Sequence, residues 1–80
     1  MGPTPAIQPY QCRAARGLLG WTQRDLSEAA GVALMTVSLY ESGQRAPMPN
    51  NLRAIVAALS EHVVFLPATA KHGPGVRLRK

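Results

Sequence analysis

The sequence predicts a mainly α domain of four to five short helices followed by a short C-terminal β extension. Three observations predict it. The chain has 80 residues, 46% of them hydrophobic and 16% charged. That suffices for one small core and excludes disorder throughout. Between residues 9 and 60, apolar positions recur three and four residues apart, in stretches punctuated by glycines and prolines. After Glu61 the pattern changes to a β-branched run and then to alternation. A domain of this size buries only roughly 60–65% of its unfolded surface, so a lone monomer is marginal and dimerisation is expected.

Residues 1–8 carry Pro3 and Pro5 and are expected to form a flexible arm. Pro9 suits the first position of a helix, where its missing N–H costs nothing. The first helix then runs through Leu19, with Cys12, Ala15, Leu18 and Leu19 on its apolar face and Gly20 at its end. Thr22 and Asp25 are spaced as a capping box for a second helix. That helix continues to about Ala30 and buries Leu26, Ala29 and Ala30, with Gly31 as its left-handed stop. A third helix starts almost at once, at Leu34, turns Val37 and Tyr40 inward, and ends before Gly43. Two short helices joined by so tight a glycine turn cannot lie antiparallel; they cross steeply, as in a helix-turn-helix. Asn50 or Asn51 is expected to cap a fourth helix, in which Leu52, Ile55, Val56 and Leu59 form the most regular stripe of the chain. Val63 to Leu66 reads as a strand closed by Pro67. Gly73-Pro74-Gly75 is a turn, and Val76-Arg77-Leu78-Arg79 alternates as a half-buried strand does. The organisation is thus an arm (1–8), a helical domain (9–61) and a β and basic extension (62–80).

Gln23 to Pro47 reads QRDLSEAAGVALMTVSLYESGQRAP. With Thr22 before it, this segment resembles the helix-turn-helix of the Cro/repressor-type, or XRE-like, family of bacterial and phage regulators. Thr22, Gln23, Leu26, Ala30, Gly31, Val32, Val37, Glu41, Gly43, Arg45 and Pro47 fall on that pattern, and with flanking helices the likeness covers residues 9–60. The resemblance implies a homodimeric regulator of transcription, most often a repressor, that binds double-stranded DNA at an inverted repeat. It places Ala33, Leu34, Met35, Ser38 and Leu39 at base edges in the major groove. Thr22, Gln23, Thr36, Gln44 and Arg45 would lie nearer phosphates. It also implies an ion pair between Arg16 and Glu41 that ties the third helix to the body; the alternative is two unrelated surface charges.

One departure from the family matters. Relatives commonly carry amides or arginines at the base-reading positions, and this chain has Leu34, Met35 and Leu39. Apolar side chains pack on thymine methyls but do not read purine edges. Either the protein discriminates by methyl contacts, Ser38 and DNA shape, or the surface holds another regulatory protein, as an antitoxin or antiactivator would.

The net charge is +5. Lys71, Arg77, Arg79 and Lys80 make the last ten residues +4, leaving the preceding seventy nearly neutral. Such an end suits a polyanion, or is simply a solvated tail. Val63, Val64, Phe65, Leu66, Val76 and Leu78 are the expected dimer strands, a disordered tail being the alternative for residues 71–80. Cys12, the one cysteine, excludes an internal disulfide and reads as a small core residue rather than a nucleophile or metal ligand. Trp21 reads as core. Met35 and Met48 read as exposed, with only Met35 placed to touch a partner. No nucleophile and base pair is apparent, so no enzyme, cofactor, metal or small-molecule substrate is expected. No apolar run nears the roughly 20 residues of a membrane span; a cytoplasmic location is expected.

Overall fold

The structure, a computed structural model, describes residues 7–80. Four helices are followed by an antiparallel β-hairpin: α1 (Pro9–Leu19), α2 (Gln23–Ala30), α3 (Leu34–Glu41), α4 (Pro49–Ser60), β1 (Val63–Leu66) and β2 (Gly75–Leu78). Most of the expected arm lies outside the described residues. Its end is not loose: Ile7 is buried in the core and Gln8 caps α1.

Local chemistry sets each boundary. The α1 start carries Pro9 in its first turn and a reciprocal bond pair between Gln8 and Gln11. At α2, Thr22 Oγ1 accepts from the Asp25 amide at 3.0 Å and Asp25 Oδ2 accepts from the Thr22 amide at 2.9 Å. Gly31 closes that helix at φ 69°, a left-handed conformation that side chains resist. The fourth helix is capped by Met48, with Pro49 in its first turn, and not by Asn50 or Asn51. Proline's fixed φ pre-forms that turn without a side-chain cap.

The core joins Cys12 and Ala15 of α1, Leu26 of α2, Val37 and Tyr40 of α3, and Ile55, Val56, Ala58 and Leu59 of α4, with Val63 from β1. Two helix faces sit differently from the sequence expectation. Leu18 is exposed, and Gln11 is buried on α1 beside Cys12 and Ala15. Ala29 is exposed and Ser27 is buried, its hydroxyl donating to the Arg24 carbonyl at 2.9 Å. A satisfied hydroxyl or amide sits inside at little cost, and periodicity alone does not see it.

The hairpin pairs Val63 with Leu78, Val64 with Arg77, Phe65 with Val76 and Leu66 with Gly75. It packs against α1 and α4. Buried Gln11 reaches from α1 to donate to the Gly75 carbonyl at 2.9 Å. Arg79 closes the other end, its amide donating to the His62 carbonyl and its Nε to that of Ser60. Residues 75–78 are therefore part of the fold and not a disordered tail. No helix among the described residues is long and apolar enough to cross a membrane.

Candidate nucleic-acid interface

The sequence of α3 divides its two sides. Val37, Tyr40 and Glu41 are buried, and Tyr40 donates its hydroxyl to the Ile7 carbonyl at 2.7 Å. On the other side Ala33, Leu34 and Met35 are exposed, while Thr36, Ser38 and Leu39 are half-buried. Ala33 caps the helix without a side-chain hydrogen bond. The first-turn N–H groups of α3 therefore have no side chain of their own to satisfy them. The start of α2 differs, because its capping box already uses the Asp25 amide.

Glu41 fixes how that outer face is held. It is 2% exposed and accepts four side-chain hydrogen bonds. Arg16 meets it as a two-pronged fork, Nη2 to Oε1 at 2.6 Å and Nε to Oε2 at 2.7 Å. Gln23 Nε2 donates to Oε1 at 3.1 Å and the Cys12 thiol to Oε2 at 3.2 Å. Arg16 also donates to the Trp21 carbonyl, and Arg13 donates to the Glu41 backbone carbonyl. One carboxylate thus joins α1, α2 and α3. Burial opposes its charge, but the bonds from Arg16, Gln23 and Cys12, with the Arg16 charge, more than offset that and hold Glu41 below its ordinary range. Burial pushes the Cys12 thiol far up, and the neighbouring Glu41 adds to it. That makes Cys12 a hydrogen-bond donor at neutral pH rather than a thiolate.

Gln23, expected near a phosphate, also joins this network. One of its N–H groups orients on Glu41, leaving the second for a ligand. Thr22, Gln44 and Arg45 are exposed. Trp21 is half-buried against the core and meets His62 edge to face, ring centres 5.3 Å apart.

Met35 and Met48 are both exposed, as expected, and they line the same groove. Met35, Thr36 and Leu39 form one wall of an open groove whose other wall is Ala46, Pro47 and Met48, with Arg45 and Asn51 beside them. The pair Pro47 and Pro49 drives the residue before each toward extended backbone, and Met48, before Pro49, has it at φ −61° and ψ 149°. That doublet was the signal in the sequence.

Of the six expected dimer residues, Val63 is wholly buried in the protomer's own core, and Phe65 and Val76 pack against it. Val64 and Leu66 are half-buried and Leu78 is exposed.

A family model described as helix-turn-helix matches residues 13–66, spanning all of α2, α3, α4 and β1. No curated protein matches the chain.

Proposed function

Because the chain belongs to the XRE-type helix-turn-helix family of DNA-binding regulators, we propose that it is a homodimeric repressor acting at an inverted-repeat operator. One α3 from each protomer enters a major groove, and the pair spans two successive grooves roughly 34 Å apart. The observation that carries this reading is the division of α3. Its leading end, Ala33 to Met35, is exposed, and its trailing end is locked to α1 and α2 through buried Glu41. A recognition element needs both, a free contact face and a fixed approach angle. The Gln23 amide, Thr22, Gln44 and Arg45 flank it as phosphate contacts, and the +5 net charge favours a polyanion.

The hairpin supports the dimer. Addition of a second copy along a strand edge would pair main-chain groups that the two-stranded sheet leaves at its edges, and would set Val64 and Leu66, which share the face opposite Val63, beside the partner. The protomer is 35 Å in its longest dimension, so two copies side by side have the reach for adjacent grooves. A dimer seated on a promoter would repress by excluding polymerase.

Selection of bound sequences from random duplexes tests the reading. A two-fold symmetric consensus is expected; enrichment of an asymmetric site, or of none, would contradict it.

A second reading is favoured by the apolar character of Leu34, Met35 and Met48, which are all exposed. It makes this face the seat of another regulatory protein. Salt separates the two. Phosphate-led binding weakens steeply as salt rises, and an apolar protein contact hardly responds.

A further inference from the structure

We propose that the groove between α3 and the loop after it reads the C5-methyl group of a pyrimidine, and that this methyl rather than a purine edge sets the preferred sequence. The inference rests on the DNA-binding reading above and names what that surface recognises. The chemistry of the groove edges leads to it. Guanine and adenine are read by two-pronged donors and acceptors, which arginine, lysine, asparagine and glutamine supply. From Ala33 to Leu39 the chain is Ala-Leu-Met-Thr-Val-Ser-Leu, with none of those four types. Its two hydroxyls, on Thr36 and Ser38, are half-buried. The feature of a base pair that an apolar surface distinguishes is the methyl at C5.

The geometry fits that ligand. Met35 and Leu39 face Pro47 and Met48 across the groove, and Met35 and Met48 are 65% and 69% exposed. Thioether side chains are unbranched and adapt to a small apolar group. The space is about 310 Å³ and open to solvent, the small end of the roughly 300–1,000 Å³ of ligand pockets. The edge of a base enters it without a whole small molecule being enclosed. Arg45, at the polar side of the same groove, supplies a cation for the neighbouring phosphate, so one site offers methyl and anion contacts together. Thymine and 5-methylcytosine carry the same methyl at the same place on the major-groove edge, and the groove has the chemistry to accept either.

The test uses the full chain and a fluorescein-labelled duplex carrying a selected site, with dissociation constants measured by anisotropy at one salt concentration. Deoxyuridine replaces each thymine in turn, removing only the methyl. At one thymine of each half-site, affinity is expected to fall about fourfold, the factor given by burying one such carbon. There, 5-methylcytosine paired with guanine should bind better than cytosine by a similar factor. Met35→Ala and Met48→Ala remove exposed side chains, so their melting temperatures should match the parent, while the thymine-to-uracil difference shrinks. Deoxyuridine tolerated within twofold at every position would overturn the proposal. So would a loss confined to 7-deazapurines, which lack a purine-edge acceptor. Failure to bind any unmodified duplex would overturn the DNA-binding reading itself, a separate outcome seen with the unmodified control duplex.

Discussion

Glu41 is a carboxylate withdrawn from water and surrounded by four side-chain donors. Removing one partner of a buried pair costs more than the pair contributes, because a charge is left buried without compensation. Arg16→Ala should therefore destabilise the domain by about 3 kcal/mol, the lower end of that range because the Arg16 side chain is 18% exposed. Arg13→Ala loses one bond to a backbone carbonyl from an exposed side chain and should cost about 1 kcal/mol or less. Urea unfolding compares the two; equal midpoints would contradict the network. The same residue sets an acid dependence. Glu41 has a folded-state pKa below its unfolded value, so its stabilisation is complete above the ordinary carboxylate range, near about 4.3, and is lost as pH falls through the folded value. Urea midpoints for the parent and Glu41→Gln should differ most at pH 7 and converge under acid. At this scale the sequence was only partly legible. A family likeness points to Arg16 and Glu41, and Cys12 lies one helical turn before Arg16 on α1, but no spacing rule brings Gln23 to the same carboxylate from α2. Nor does hydropathy place Gln11 inside, where the hairpin carbonyl that satisfies it comes from 64 residues away.

The α2–α3 turn shows what local rules do foresee. Thr22, Asp25 and Gly31 act within a few residues of themselves, through a cap, a first-turn acid and a left-handed backbone, so their roles are written in short sequence. Gly31 has open space around the position of an added Cβ, and Gly31→Ala should cost about 1 kcal/mol from backbone conformation alone. Gly31→Asn should be milder, because asparagine tolerates that conformation. Thr22→Ala removes one half of the capping box and should cost about 1 kcal/mol. Thermal melts of the three variants check the ranking. The start of α4 was less legible. Two asparagines advertised a cap, but Pro49 begins the helix one residue earlier and needs none. The groove beside α3 lies between Met35 and Leu39 and the loop that carries Pro47; the effect of Pro47 and Pro49 on the preceding residues is local, but the loop's place beside α3 is set by the tertiary fold.

For the molecule as a whole, the hairpin is both a buttress and the proposed seat of a second copy. Removing residues 62–80 would take Val63 out of the core, so truncation would test folding rather than assembly. Val64→Asp places charge on the half-buried hairpin face opposite Val63 and should convert a dimer to a monomer by sedimentation. A parent that sediments as a monomer at micromolar concentration would contradict the strand-paired dimer. Phosphate contacts should give DNA affinity a steep salt slope, and Arg45→Ala should lower that slope by about 1. Oligomeric state is not written in the hairpin's sequence, because a β-branched run such as Val63 to Leu66 meets the strand pattern equally whether its own helices or a second copy cover it. The central claim is that the leading end of α3 is what meets the duplex, and an NMR titration of backbone amides with a selected duplex tests it most directly. The account predicts that Thr22, Gln23 and Ala33 through Leu39 shift first and furthest as DNA is added. Shifts confined to the hairpin, from Val63 to Leu78, with α3 unmoved, would contradict it.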